Sequence, residues 1–478
     1  MQTFYFYDLE TSGVNPRESR IMQFAGQRTG LDLEPIGEPH NILIKMTDDV
    51  LPDPEAILIT GITPQKTIAE GVTEAEFLKV FHEEIATENT TFVGYNTVRF
   101  DDEFMRYLHY RNFYDAYEWQ WKDNRSKWDL LDMVRLTRAL RPEGIEWPVD
   151  TKGNPTNRLE LLTSMNNLDH ANAHDALSDV FASIALAKLI KSKQPKLFDY
   201  LYELRDKKKV KELVEQDQPV VYASGKYSGD WEKTTIVQKI GDSSEGQGAL
   251  VYDLRFDPDE YSKMSDAELQ SSWQRRRDDP GPRLPVKAMK YNRCPAVAPL
   301  AVLDEASKKR LAIDMDLIMK HRKKLLASDL GKRCELVAQK MNDARAEQSG
   351  MFQDVSDVDT RLYDGFVPGN DKPKMSMVRA ADMSTFGSNE VTFSDERLNA
   401  LLPLYKARNR PELLDDTERQ YWEEFRTQKL LSGGEKSRLA KFGKRLQELD
   451  GTVTDDAKRY LLEELTLYAQ SIAPVGED

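Results

Sequence analysis

Three short stretches within the first 180 residues place acids where they could hold hard metal ions. Asp8 and Glu10 flank Leu9 at the end of the apolar run 3–9. Alternate residues of a strand point the same way, so these two carboxylates project together. Like charges at the end of a buried strand are costly unless a cation neutralises them, and oxygen ligands suit Mg2+. A strand running out into a polar turn would give the same pattern, so this pair decides little alone. The second stretch, 96–103, ends in Asp101, Asp102 and Glu103 at the start of a helix. Such acids complement a helix dipole, which is a sufficient reason for Asp102 and Glu103; Asp101 gains weight from its company. The third holds His174 and Asp179 five residues apart. Five helical steps rotate about 140°, so the expectation is His174 just before a helix and Asp179 inside its first turns. From there the imidazole could reach a water at a metal that Asp179 ligates, although a histidine at a helix start is more often a structural donor or cap.

The elements that must position these groups can be read from periodicity. Residues 3–9, 21–28, 41–45 and 91–94 predict strands. Residues 74–86, 103–110, 130–140, 159–165 and 175–193 predict helices, so an α+β domain spans 1–193. Residues 194–211, with Pro195 and three successive lysines, read as a connection. Short β-type stretches at 220–223, 234–239 and 249–255 follow, then a proline-rich passage and helical periodicity over 304–346. A small barrel with attached helices over 195–354 is the plainest reading. From 355 to 478 the chain reads as helical, with apolar stripes at 396–408, 416–430, 435–448 and 455–472.

Bulk properties limit the partners. The 478 residues are 40% hydrophobic and 31% charged, with a formal net charge of −14. That balance excludes a uniformly basic nucleic-acid coat protein, but not an enzyme with a local basic groove and clustered carboxylates. No apolar run approaches the ~20 residues that cross a bilayer, and the start Met1-Gln2-Thr3-Phe4 lacks a secretory pattern. Two distant cysteines, Cys294 and Cys334, make no metal-ligand spacing and fit a reducing, cytoplasmic setting.

Together the motifs run D-x-E, D, H-x4-D, and in this the chain resembles the DEDD exonuclease superfamily in its histidine-bearing subclass. More closely it resembles the bacterial exodeoxyribonuclease I family along nearly its whole length. The stretches that carry this likeness are ILITGITPQ (57–65), GYNTVRFDDE (94–103), YRNFYDAY (110–117), SKWDLLD (126–132), ALRPEGIEWP (139–148) and NAHDALSDV (172–180). Later ones are PVKAMKYNRCP (285–295), LYDGF (362–366) and YKARN (405–409). The resemblance implies a ribonuclease-H-like exonuclease domain, a small Src-homology-3-like β-barrel with helices, and a C-terminal helical domain. It also implies a DNA repair and recombination enzyme that processively removes 5′-mononucleotides from single-stranded DNA in the 3′→5′ direction. The family's ligands fall on Asp8, Glu10, Asp101 and Asp179, its general base on His174. Two Mg2+ ions are the implied cofactor, with Mn2+ an alternative that oxygen ligands accept equally. The implied partner is the acidic tail of single-stranded-DNA-binding protein, and the implied state is a monomer. One departure is visible: Ser12 stands where the family has an aromatic, which could alter packing near the terminal nucleotide.

A single strand is held by stacking aromatics and basic side chains. Arg106, Tyr117, Trp121, Arg135 and Arg158 are the expected contacts, with Glu10 beside the terminal nucleotide; Trp119 and Trp128 read rather as core. Rival readings are a ribonuclease of the same superfamily, a non-catalytic strand-binding scaffold and a proofreading subunit. The intact acids argue against the scaffold, and the two further domains argue against the other two.

Overall fold

Alternation along the first strand sorts its side chains onto two faces. Tyr5, Tyr7 and Leu9 enter a core with Phe24, Phe77, Phe81, Phe92, Phe104 and Trp119, so Phe4, Phe6, Asp8 and Glu10 belong to the opposite face. A computed structural model of the chain describes residues 1–168, 175–243, 247–276, 278–352, 357–382 and 391–474. Its strands are β1 (Thr3–Thr11), β2 (Ile21–Thr29), β3 (His40–Leu43), β4 (Thr90–Gly94), β5 (Ser126–Asp129), β6 (Val220–Ala223), β7 (Thr234–Asp242), β8 (Gly248–Asp253), β9 (Val286–Lys290) and β10 (Ala296–Pro299). The chain divides into two units, one of Met1–Arg125, Ala171–Phe181 and Asp354–Asp478, the other of Ser126–His170 and Ala182–Gln353.

In the first unit the strands run in the order β3-β2-β1-β4. β1 is antiparallel to β2 and parallel to β4, the mixed sheet of a ribonuclease-H-like domain. The register sets Asp8 opposite Ala25 and Glu10 opposite Gln23, with an irregularity between Glu10 and Thr11. Helix Asp101–Arg111 sends Phe104, Met105 and Leu108 into the sheet core. Its Tyr107 and Tyr110 join a second core with Leu398, Leu401, Leu402 and Tyr405 of helix Glu396–Asn409. A third core sets Met22, Ile57 and Ile62 against Phe442, Leu446, Leu462 and Leu465 of helices Arg438–Asp450 and Asp456–Ile472. The C-terminal helices therefore pack directly on the sheet domain.

A buried ionic hub joins the same segments. Arg408 Nη2 lies 2.7 Å from carboxylate oxygens of both Asp49 and Asp359. Lys429 Nζ reaches the same pair at 2.8 and 3.2 Å, and Arg20 reaches Asp359 at 2.7 Å. Burial alone would raise both carboxyl pKa values, but Arg408, Lys429 and Arg20 outweigh it and hold both well below the usual range.

In the second unit five antiparallel strands run β10-β6-β7-β8-β9 around Val221, Ile236, Val237, Val251 and Val297, a Src-homology-3-like barrel. Two expectations need correction here. Residues 194–211 are not a bare connection, because they hold most of helices Pro195–Glu203 and Lys207–Val214. Pro195 opens the first, whose Leu197, Phe198 and Leu201 are buried, and Asp206 caps the second. Two-turn helices are too short to show a clear period, and caps define them instead. The helical stretch 304–346 is broken into Glu305–Arg310, Met315–Ala327 and Leu330–Phe352, with Asp304 and Asp314 capping fresh starts.

Candidate metal centre and nucleic-acid interface

β1 delivers Asp8 and Glu10 to one side of the sheet, and the first turns of helix Ala176–Lys193 deliver Asp179. One carboxylate oxygen from each lies within 4.8 Å of the others. Desolvation, then the charges of Asp101, Asp179 and Asp175, raises the Asp8 pKa well above its ordinary value. Desolvation, then Asp8, Asp179 and Asp175, pushes Glu10 up to about 9. Burial and the neighbouring charges disfavour ionisation of these acids without a cation, and a cation among the three carboxylate oxygens would relieve both. The donor set therefore fits a divalent ion such as Mg2+.

Asp101 is buried at the start of helix Asp101–Arg111. It stands outside the three-acid group, although its charge acts on Asp8. The turn before it closes onto β1. A Cβ on Gly94 would meet Thr97 Cγ2 at 2.1 Å and the Tyr7 carbonyl at 3.0 Å, so only glycine fits. Asp102 does more than complement the helix dipole, since its buried carboxylate accepts a 2.7 Å hydrogen bond from the Tyr7 hydroxyl. That bond ties the strand bearing Asp8 to the helix bearing Asp101. His174 lies outside the described residues. Its neighbour Asp175 accepts hydrogen bonds from Ser178 N–H at 3.2 Å and Gln23 Nε2 at 3.3 Å. Ser12 is fully buried, and its hydroxyl accepts from Arg20 N–H at 2.8 Å, closing the β1–β2 connection.

Among the predicted strand contacts of the first unit, Arg106 is pinned rather than free. Its guanidinium donates to Glu103 at 2.6 Å and Gln120 at 3.2 Å, and it lies 5.5 Å above the Tyr117 ring. Trp121 is 61% exposed, whereas Trp119 and Trp128 are buried, as expected of core residues. Sequence reasoning missed two members of this surface. The Tyr363 hydroxyl donates to Glu103 and accepts from Arg106, and Phe366, 84% exposed, lies 5.8 Å from the Tyr117 ring. Both sit in the LYDGF stretch, so the signal was present without a role attached. In the second unit Arg135 bonds Asp132, and its guanidinium occupies the space a Cβ on Gly225 would need. Arg158 is exposed, 3.7 Å from Glu160. Among the described residues no helix is long and apolar enough to cross a membrane.

Three family descriptions match in succession: Exonuclease over residues 5–187, Exonuclease I SH3-like domain over 205–341, and Exonuclease I C-terminal domain over 356–472. The chain is 40% identical over 468 residues to exodeoxyribonuclease I of Haemophilus influenzae, covering 96% of each protein. Among solved structures it resembles the zinc-bound Escherichia coli exonuclease I–single-stranded DNA complex, at 38% identity and a TM-score of 0.90, covering 99% of this chain and 100% of that one. An SSB/exonuclease I structure in complex with the inhibitor CFAM matches at 36% identity and a TM-score of 0.87, with the same coverage.

Proposed function

The chain belongs to the exodeoxyribonuclease I family, and from that premise we propose that it is a metal-dependent hydrolase that shortens single-stranded DNA from its 3′ end, releasing 5′-mononucleotides processively. The observation that carries the chemistry is the convergence of Asp8, Glu10 and Asp179 beside Asp101. In this reading Mg2+ is the working ion, and two ions share the four acids. Asp8, Glu10, Asp179 and Asp101 are the residues that would hold them. When bound, the ions supply charge stabilisation to the scissile phosphate and to the departing 3′-oxygen.

His174 acts as general base, taking a proton from the attacking water; an ordinary imidazole pKa of about 6.5 suits that task near neutrality. Glu10 also abuts the terminal nucleotide. Trp121 and Tyr117 stack bases, while Arg106, Arg135 and Arg158 hold phosphates. The domains are 1–193, 195–354 and 355–478. The solved SSB/exonuclease I structure of a relative supports single-stranded-DNA-binding protein as a partner of this protein too, and in this reading its acidic tail makes the contact. A monomer working in the cytoplasm in DNA repair completes the reading.

The test is a 5′-labelled single strand, its duplex and a matching RNA, each incubated with Mg2+ or EDTA. Mg2+-dependent shortening from the 3′ end, confined to single-stranded DNA, is the expected result. RNA cut as fast as DNA would overturn the substrate, and no cutting by a protein that still binds the strand would overturn the enzyme. His174→Ala should lower turnover roughly 10²–10⁴-fold with strand affinity retained.

A further inference from the structure

Gln23 is buried, 6% exposed, on β2 directly opposite Glu10. Opposed residues of an antiparallel pair share a face of the sheet, so its side chain stands beside the metal-binding acids. Its Nε2 donates to Asn41 Oδ1 at 2.8 Å and to Asp175 Oδ1 at 3.3 Å. With an acceptor oxygen at each position, only the amino end of the carboxamide can face them. The carbonyl oxygen Oε1 is then buried, and it has no hydrogen-bond partner among the described residues. The amino end of this glutamine is the committed end, its donors facing Asn41 and Asp175.

Asp175 is the group those donors hold. One of its oxygens accepts from Gln23, the other from Ser178 N–H in the first turn of helix Ala176–Lys193, the helix that carries Asp179. Its charge acts on both Asp8 and Glu10. We propose that Gln23 is a positioning residue of the metal centre: its carboxamide clamps Asp175, and through it the start of the Asp179 helix, against β2, the strand paired with the one that carries Glu10. The residue type follows from the electrostatics. A lysine or arginine would hold Asp175 as firmly but would add a positive charge where a divalent ion must bind. A glutamate would repel Asp175. A neutral donor fixes the geometry and leaves the negative potential intact, as outer groups around metal ligands commonly do.

This inference rests on the metal-centre reading above, and the experiment separates the two. Mn2+ binding to the full-length protein without DNA is followed by electron paramagnetic resonance, beside the Mg2+ midpoint for strand cleavage and the metal-free melting temperature. Gln23→Met, close in shape and lacking donors, should raise both metal midpoints on the order of 10-fold. Its KM for DNA at saturating Mg2+ and its metal-free melting temperature should stay as in the wild type. Gln23→Lys should also weaken metal binding, through charge, while Asn41→Ala should cause a smaller shift than either. Unchanged metal midpoints in Gln23→Met would overturn the inference, as would a loss of binding that merely tracks a lower melting temperature. A wild-type protein that binds no Mn2+ would overturn the metal-centre reading itself.

Discussion

Asp8 and Glu10 show how a residue's setting, rather than its type, defines its chemistry. Both are ordinary carboxylates in sequence, yet desolvation and the charges of neighbouring carboxylates raise both pKa values, Glu10 to about 9. Such a cluster is poised for a cation because ionisation without one is unfavourable. At the same scale, Trp121 and Trp119 sit two positions apart with opposite fates, one 61% exposed and the other at 0%. An exposed tryptophan costs solubility and offers a stacking face, so Trp121→Ala should weaken single-strand binding by about 1–3 kcal/mol. Fluorescence anisotropy with a labelled oligonucleotide in EDTA measures this without cleavage, and affinity equal to wild type would remove Trp121 from the strand path.

At the scale of elements, the site depends on how a strand, a turn and two helices are locked together. The Tyr7–Asp102 bond joins β1 to helix Asp101–Arg111 across 95 residues of chain, and the missing side chain of Gly94 lets the intervening turn close on Tyr7. Tyr7→Phe keeps the packing and deletes the hydroxyl, leaving a buried carboxylate short of one donor. The expected cost is about 1–3 kcal/mol, read as a lower urea midpoint with unchanged slope. Because the bond links the elements that carry Asp8 and Asp101, activity at saturating Mg2+ should fall further than the loss of folded protein explains. Stability and activity both at wild-type level would show that the bond does not hold these elements.

At the scale of the molecule, the first unit is assembled from chain segments hundreds of residues apart, and the Asp49–Asp359 hub is where they meet. Removing one partner of a buried network strands the other charges, at a typical cost of about 3–5 kcal/mol. Asp359→Asn leaves Arg408, Lys429 and Arg20 to share Asp49 and should lower the melting temperature measurably, whereas a surface control such as Glu305→Gln should not. The pH dependence has a definite sign. Both carboxyls are depressed in the fold, so their contribution is fully present above the unfolded carboxylate pKa of about 3.9 and declines as pH falls below it toward the folded values. Calorimetric scans from pH 7 to 3 should therefore show the gap between wild type and Asp359→Asn holding down to about pH 4 and narrowing below it. A gap that closed between pH 7 and 5 would contradict the hub.

The sequence by itself determined the chemistry and most of the framework. An apolar run ending in Asp8 and Glu10 announced a strand with paired carboxylates, and an apolar stripe marked helix 130–140 at its observed limits. These signals are local, so they survive in a one-dimensional reading. What only the tertiary structure decided are relations between distant residues: Gln23 beside Asp175, Tyr7 beside Asp102, Tyr363 and Phe366 beside Arg106 and Tyr117, and Asp359 beside Asp49. No spacing encodes them, because each depends on strand register or on a helix returning from the far end of the chain. Short helices such as Lys207–Val214 stayed hidden for a related reason, since a cap and one buried turn stabilise them only when a neighbouring surface is already in place.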